Sequence, residues 1–276
     1  MSEAPGRSQA SAHRSPQGEG IPVHGAPLLA ALQLVKRFGG LAATDGASLT
    51  VQAGETHALI GPNGAGKTTL IHQLSGALAP TSGSIWFGGQ AITGLPMHAR
   101  ARLGLVRSYQ ITSVFKRLSV CDNLALAVQA QDGSSLRFWR PARRERARYE
   151  AAAAVGERVG LGTQLHRLAG ALSHGEQRQL EVGLALALRP RLLLLDEPMA
   201  GMGPEESERM VELLQGLRGQ ASLLLVEHDM DAVFRLADRI SVLVSGRVIA
   251  TGTPAEIREN AEVQRAYLGD EAGVAA

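Results

Sequence analysis

The chain contains 276 residues, of which 45% are hydrophobic and 20% are charged, and its formal net charge is +2. These values are typical of a globular protein, and they exclude a collagen-like, a disulfide-stapled or a wholly disordered chain. The charge is too small to indicate nucleic acid as a partner, and we expect none. Cys121 is the only cysteine, so an intrachain disulfide and a cysteine metal cluster are also excluded.

The N-terminal segment offers nothing to bury. Residues 1–26 are rich in Ser, Gly, Pro and Gln, which predicts a disordered tail, and they lack the apolar core of a secretory signal. The longest apolar runs, such as Leu192–Leu195 and Leu223–Val226, are far shorter than the roughly 18 residues that cross a bilayer. We therefore expect neither a signal peptide nor a membrane anchor, and membrane association would depend on a partner.

Short strands and a helix are predicted in the first hundred residues. Leu28–Val35 and Ser48–Val51 have strand patterns, and Thr56–Ile60 is a short buried strand that runs into a glycine-rich loop. Thr68–Leu78 has helical spacing, and Ser84–Phe87 is another short strand. The loop therefore lies in a strand–loop–helix unit.

The middle of the chain changes character. Alanine, leucine and arginine recur there at helical spacing without strand signals, which predicts an inserted helical subdomain at about residues 110–172. Beyond it, short apolar strands alternate with helices, which predicts a mainly parallel sheet covered on both faces. We predict an α/β fold with one unit of this kind over residues 27–276: a core at about 27–109 and 173–253, and a C-terminal helix at 254–268. The later elements are helix Glu176–Leu188, strand Leu192–Leu195, helix Pro204–Gly216, strand Ser222–Val226, helix Met230–Ala237, strands Ile240–Val244 and Arg247–Ala250, and helix Pro254–Leu268.

The glycine-rich loop matches the phosphate-binding P-loop pattern. Glycines let the backbone wrap a phosphate with its N–H groups pointing inward, and the following helix adds its positive N-terminus. Lys67 would reach the β- and γ-phosphates, and the Thr68 hydroxyl would bind Mg²⁺. A glycine-rich turn without a ligand is the alternative, but the flanking strand and helix favour the P-loop. The predicted ATP-binding residues are Gly61, Pro62, Asn63, Gly64, Ala65, Gly66, Lys67, Thr68 and Thr69.

An acidic pair follows the buried strand Leu192–Leu195. The strand delivers Asp196 to the site, where its carboxylate could hold Mg²⁺ directly or through water. Glu197 lies beside it and is suited to polarise the attacking water as a general base. Such a pair is only moderately specific alone, and the P-loop upstream makes the combination specific for nucleotide chemistry.

The segment Leu172–Glu176 (Leu-Ser-His-Gly-Glu) distinguishes among P-loop proteins. It resembles the Leu-Ser-Gly-Gly-Gln signature motif of the ABC ATPases. A serine hydroxyl and a glycine N–H at a helix N-terminus make a second phosphate site, although in isolation an ordinary helix N-cap fits equally well. The resemblance implies that the segment binds ATP held by another protomer, so that hydrolysis requires a head-to-tail dimer. The residues concerned are Ser173, His174, Gly175 and Glu176.

Three further residues match the same family by position. Gln110 stands where the family has the glutamine that senses the metal ion and contacts the membrane subunit. His228 ends a strand as the family's catalytic switch histidine does, contacting the γ-phosphate, and Phe38 matches the aromatic residue that stacks on adenine. Alone, His228 would be read as a surface or capping residue and Phe38 as a core residue. The motifs nevertheless occur in the family's order.

The match extends from Pro27 to Leu268, and three segments narrow it to one subgroup. They resemble the ATP-binding subunits of importers for branched-chain amino acids, and relatives for other amino acids, amides and urea. These segments are Leu172–Glu181, Met199–Pro204 and Ala266–Gly269.

Three residues depart from the general family pattern. His174 and Glu176 replace Gly and Gln of the signature. Gly203 replaces an Asp found in many members, which puts in doubt any contact between protomers that this Asp would make.

The resemblance implies an L-shaped subunit with an N-terminal antiparallel β element beside the P-loop sheet, and with ATP and Mg²⁺ as cofactors. ATP would lie between Lys67 of one chain and Ser173 of another, in a homodimer or in a heterodimer with a sister ATPase. The other expected partners are two transmembrane permease subunits and, indirectly, a periplasmic solute-binding protein. The expected location is the cytoplasmic face of the inner membrane, as a peripheral protein.

Other functions remain open at this point. An exporter or a lipid-extraction system uses similar ATPases, because the substrate contacts lie in other chains. Soluble ABC proteins that act on ribosomes usually carry two ATPase units, and those that act on DNA carry a long coiled coil, neither of which this chain shows. A P-loop kinase or GTPase does not explain Leu172–Glu176 or His228.

Overall fold

The computed structural model describes residues 26–108, 114–131 and 142–272. Within them the strands form two sheets, one antiparallel and one mainly parallel. In the same segments, no helix combines the length and the apolar character that crossing a membrane requires. The predicted tail lies, except for Ala26, outside the described residues.

The antiparallel sheet is built by the N-terminal part of the chain. Its strands are β1 Leu29–Phe38, β2 Leu41–Val51, β4 Ser82–Phe87 and β5 Gln90–Ala91. They lie in the order β2-β1-β4-β5, and each neighbouring pair is antiparallel. β2 begins seven residues before the predicted strand, because pairing with β1 keeps this weakly alternating stretch extended through Gly46. The expected antiparallel β element is confirmed.

The second sheet is mainly parallel, as predicted. Its strands are β3 Thr56–Ile60, β6 Leu105–Arg107, β7 Leu192–Asp196, β8 Ser222–Val226, β9 Arg239–Val244 and β10 Arg247–Gly252. They lie in the order β10-β9-β3-β8-β7-β6, and only β10 runs antiparallel to its neighbour. In this register Val226 pairs with both Leu59 and Asp196. The carboxyl ends of β3, β7 and β8 therefore meet at one edge, where parallel sheets bind ligands.

Helices cover both faces of this sheet. Their ranges are α1 Lys67–Ser75, α2 Met97–Arg102, α3 Val120–Gln131, α4 Ala142–Arg158, α5 His174–Ala187, α6 Pro204–Gly216, α7 Met230–Leu236, α8 Pro254–Glu259 and α9 Ala261–Ala272. The leucines of β7 show the layering: Leu193 and Leu195 join the core formed with α3 to α6, whereas Leu192 and Leu194 face the core shared with α1 and the antiparallel sheet. Burial on both faces explains why β7 reads as one apolar run.

The last predicted helix is two helices in the structure. Asn260 separates α8 from α9 with an extended backbone, and its side-chain oxygen accepts the N–H groups of Glu262 and Val263. An asparagine that caps a new helix competes with continuation of the old one. The domain boundaries given above stay a prediction.

Helix α2 and strand β6, which lie near residue 100, were not predicted. Helix α2 is held by Arg100, whose buried guanidinium donates to the carbonyl groups of Gln73, Leu74, Thr93 and Leu95. Burial lowers the pKa of Arg100 to about 10. The arginine thereby satisfies carbonyl groups at the C-terminal end of α1, which would otherwise lack partners. A buried charge at this position cannot be foreseen from a polar, arginine-rich stretch.

Candidate functional site

The P-loop adopts the strand–loop–helix geometry that its sequence predicts. Gly61 follows β3, and Gly66 precedes α1. Gly61 and Gly66 have φ angles of 149° and 102°, and a Cβ on either would overlap a neighbouring carbonyl oxygen, of Leu243 or Ala43 respectively. Both positions therefore require glycine for conformation and for close packing. The first backbone hydrogen bond of α1 runs from the Leu70 N–H to the Gly66 carbonyl oxygen. The amides that precede Leu70 are therefore not used by the backbone hydrogen bonds of the helix.

Lys67 lies folded over its own loop. Its Nζ donates to the carbonyl oxygens of Gly61 at 2.6 Å and Pro62 at 2.9 Å, and the residue is only 9% exposed. Burial lowers the pKa of Lys67, while the negative charges of Glu197 and Asp196 act in the opposite direction. The ammonium group, the loop and the acidic pair are therefore close neighbours, as the sequence predicts.

Asp196 ends β7 in an ion pair with a residue that the sequence did not single out. Its Oδ2 accepts a hydrogen bond from the buried Arg107 guanidinium at 2.7 Å. Arg107 ends the adjacent strand β6, so the register places it beside the carboxylate. Burial lowers the pKa of the neighbouring His72, and the positive charge of Arg107 lowers it further.

The donors at this edge fit a magnesium ion. Mg²⁺ prefers carboxylate and other oxygen ligands and keeps several of its waters. Thr68 supplies a hydroxyl in the first turn of α1 and Asp196 a carboxylate that is half-buried. Among the described residues, no cluster of three or more His, Cys, Asp or Glu side chains could hold a metal by itself. Such a sparse set suits an ion that is also held by a nucleotide.

Glu197 stands on a strained turn directly after β7. Its φ of 49° is in the left-handed region, which a non-glycine residue rarely adopts. The backbone is fixed there by two hydrogen bonds: the N–H of Glu197 donates to Val226, and its carbonyl accepts from Ala200. The turn fixes the backbone of Glu197 directly after the strand that carries Asp196, and the negative charge of Glu197 acts on Lys67.

Glu227, which sequence reasoning missed, connects the acidic turn to His228 through hydrogen bonds. Its carboxylate is 1% exposed and accepts the N–H groups of Met199 at 3.0 Å and His228 at 3.1 Å. Burial raises the pKa of Glu227. The hydrogen bond to Glu227 uses the backbone of His228 and not its ring. The ring Nδ1 lies 3.7 Å from the Glu227 carboxylate, and the side chain is 65% exposed. One signal was available: Glu227 follows β8 as Glu197 follows β7.

The signature segment forms the N-terminus of α5. Ser173 caps the helix in a capping box, in which its hydroxyl accepts from the Glu176 N–H and the Glu176 carboxylate accepts from the Ser173 N–H at 2.7 Å. His174 Nε2 lies 3.3 Å from the carbonyl oxygen of Ala200 in the turn after Glu197. The buried Gly175 donates its N–H to Glu206.

The signature segment and the P-loop are separate in this chain. Among the described residues, no hydrogen bond joins Ser173–Glu176 to the P-loop, and His174 instead contacts the turn after Glu197 at Ala200. Phe38 ends β1 and is 51% exposed, and Lys36 Nζ lies 5.3 Å from the ring centroid. That ring is therefore available for stacking. Gln110 lies outside the described residues.

Comparison with known protein families explains this arrangement. The profile of the ABC transporter family matches residues 44–200, and that of the branched-chain amino acid ATP-binding cassette transporter family matches residues 247–273. The chain belongs to the ABC transporter family. The resemblance drawn from the P-loop, the signature segment and the C-terminal segment is therefore confirmed, and this ABC ATPase is an ATP-binding, ATP-hydrolysing transport subunit.

Individual relatives cover nearly the whole chain. The high-affinity branched-chain amino acid transport ATP-binding protein LivG of Salmonella typhimurium is 43% identical, over 88% of this chain and 98% of LivG. The lipopolysaccharide export system ATP-binding protein LptB of Escherichia coli is 35% identical, over the same shares of the two chains. The crystal structure of the ADP conformation of MJ1267, an ATP-binding cassette of an ABC transporter, is 30% identical with a TM-score of 0.77 and covers 88% of this chain and 99% of MJ1267.

Proposed function

We propose that this ABC ATPase powers the import of branched-chain or related amino acids. The observation that carries the proposal is the pairing of a complete P-loop site with a C-terminal segment, residues 247–273, that matches the branched-chain amino acid family. The 43% identity to LivG over nearly its whole length supports the same assignment.

The residues of the sheet edge divide the chemistry among them. The P-loop amides and Lys67 bind the phosphates, and Thr68 and Asp196 hold Mg²⁺, which neutralises phosphate charge when bound. Glu197 orients and polarises the attacking water as general base. His228 contacts the γ-phosphate, and Phe38 stacks on adenine. Gln110 links the site to the membrane subunit.

The signature segment supplies the other side of a shared site. Ser173 and Gly175 donate to the phosphates of ATP that is held by the P-loop of a second protomer, with His174 and Glu176 beside them. The second protomer is a copy of this chain or a sister ATPase. Two transmembrane permease subunits dock on the dimer at the cytoplasmic face of the inner membrane, and a periplasmic protein delivers the solute.

Replacement of Glu197 by glutamine tests the ATPase part. The change keeps the shape of the side chain but removes the base, so hydrolysis should fall by about 100-fold or more, while ATP still binds and a dimer accumulates. ATP hydrolysis and sedimentation velocity at saturating ATP would measure both effects. Glu205→Gln, at an exposed position in α6, is the matched control and should behave as wild type.

Two results would contradict this assignment in different ways. Normal hydrolysis by Glu197→Gln would mean that Glu197 is not the base. A variant that binds ATP but stays monomeric would exclude self-pairing, and the measurement would then be repeated with the co-expressed sister ATPase.

Export of a lipid is the second candidate, because LptB is 35% identical. Uptake of radiolabelled leucine separates the two in host cells from which the gene has been deleted. We expect uptake to be lost, to return with the wild-type gene, and to stay lost with Glu197→Gln. Unchanged leucine uptake with a defect in the cell envelope would favour export.

A further inference from the structure

The two phosphate donors of the signature segment are already occupied within the chain. Ser173 Oγ and the Gly175 N–H both donate to the same atom, Oε1 of Glu206, at 3.2 Å each. Glu206 lies in the first turn of α6, 33 residues beyond Ser173. A carboxylate oxygen therefore sits on the same pair of donors that the proposed function assigns to a phosphate oxygen.

The surroundings suit an anion at this point. The N-terminus of α5 carries a partial positive charge, and the Ser173 hydroxyl oxygen is already used as acceptor by the Glu176 N–H, so its proton is directed at Glu206. Gly175 lets the carboxylate approach, because a Cβ at this position would lie 2.6 Å from Glu206 Oε1. Arg209, one turn further along α6, lines the same surface pocket.

Glu206 accepts its hydrogen bonds from the N-terminus of α5 and does not cap its own helix, α6. It occupies the third position of α6, from which a glutamate commonly reaches back to complete a capping box. Gly203, the residue just before α6, has no side chain to cap the helix, so no box can form there. The carboxylate crosses to the neighbouring helix instead, and the link joins the signature segment to the helix that follows the Glu197 turn.

We propose that Glu206 is an internal substitute for the nucleotide phosphate. It holds Ser173 and Gly175 in the isolated protomer, and it must leave before these groups can bind ATP on a partner. This inference rests on the proposed shared site. Because a carboxylate and a phosphate cannot use the same two donors at once and repel each other, each dimerisation event must first break the Glu206 contacts. Glu206 therefore raises the ATP concentration that closure requires.

The experiment measures that concentration in the Glu197→Gln background, which stops hydrolysis. Sedimentation velocity over a range of ATP concentrations gives the midpoint of dimer formation. For Glu206→Ala we expect the midpoint to fall by about tenfold, equivalent to about 1.4 kcal/mol. Glu206→Gln keeps an acceptor oxygen without the charge and should give a smaller decrease of about threefold. Glu205→Ala, one residue earlier and exposed, should leave the midpoint unchanged.

A second readout does not require a dimer. In the absence of nucleotide, Glu206→Ala should speed hydrogen exchange at the Gly175 amide, whereas Glu205→Ala should not. Thermal melts show whether each variant is folded.

The outcomes separate the inference from the proposed function. A midpoint that is unchanged or higher in Glu206→Ala, in a background that dimerises, would overturn the inference and leave the shared site intact. Failure of the Glu197→Gln parent to dimerise would instead exclude self-pairing. The same variants would then be titrated with the sister ATPase, and the midpoint in that heterodimer would decide the role of Glu206.

Discussion

The two halves of the candidate site are built in different ways. The P-loop half lies at the end of a parallel sheet, where β3, β7 and β8 are fixed in register by backbone hydrogen bonds. Lys67 is almost fully buried there. The signature half lies at the exposed N-terminus of α5, where side chains hold the donors: the capping box and Glu206. One half is preorganised by the fold, whereas the other is kept in order by side-chain contacts within the chain.

The difference predicts that the halves respond differently to nucleotide. A phosphate site whose loop backbone is fixed by the fold binds without a partner, and only the flexible Lys67 ammonium must exchange the Gly61 and Pro62 carbonyl oxygens for the ligand. A site whose donors are used internally binds only when a competing anion is delivered with additional interactions. The protomer should therefore bind nucleotide through the P-loop alone and use the signature segment only in a dimer.

Nucleotide binding to the isolated protomer tests this division with the largest expected effect. Lys67→Ala should weaken ADP binding by about 10- to 100-fold, because it removes a charge-assisted contact to phosphate worth about 1.5–3 kcal/mol. Ser173→Ala should change ADP affinity by less than about twofold, the range of a surface substitution. It should nevertheless reduce ATP-driven dimer formation in the Glu197→Gln background. Isothermal titration calorimetry measures the ADP affinities of Lys67→Ala and Ser173→Ala.

Lys116→Ala serves as the charge control, because Lys116 is exposed and lies in the segment before α3. It should bind ADP like wild type. If Ser173→Ala weakened ADP binding as much as Lys67→Ala, the signature segment would contact nucleotide within its own chain. The division between a preformed half and an internally occupied half would then be wrong.

The same difference explains how much could be predicted from sequence. Local patterns encode the P-loop half: β3 and β8 begin and end where predicted, and Gly61 and Gly66 are required by their φ angles and by close carbonyl groups. The signature segment was identified from its resemblance to the family, since by itself it fits any capped helix. The Ser173–Glu176 capping box is present, so the structure supports that local reading as well.

The residues that were missed act across elements far apart in the chain. Arg107 meets Asp196 across 89 residues, Glu206 meets Ser173 across 33, and Arg100 reaches α1 across 26 and 27. Each contact depends on tertiary packing, which periodicity and local motifs do not encode. A charged side chain in such a stretch resembles a solvated one until its neighbours are known.

The smallest predicted effect is the contribution of Glu227 to the pH dependence of stability. Glu227 follows β8 and belongs to the P-loop half of the site. Burial raises its pKa above the ordinary value of 4.5, so the folded protein binds this proton more readily than the unfolded chain does. The protonated carboxyl therefore adds stability that is fully present below the unfolded pKa and is lost as pH rises through the folded pKa. Glu227→Gln cannot titrate. The melting temperature of wild type should consequently fall relative to Glu227→Gln as pH rises from about 4.5.

Differential scanning calorimetry from pH 4.5 to 8 measures this difference, with an expected change of a few degrees, since 1 kcal/mol corresponds to about 2–4 °C in a chain of this size. Glu208→Gln is a control of opposite sign. The Arg235 guanidinium lowers the pKa of Glu208, so its contribution is present at neutral pH and is lost as pH falls, and solvent makes it small. If wild type and Glu227→Gln instead melted in parallel across this range, ionisation of Glu227 would be uncoupled from folding. The hydrogen bonds by which Glu227 connects the Glu197 turn to His228 would then stabilise the fold equally in both protonation states of Glu227.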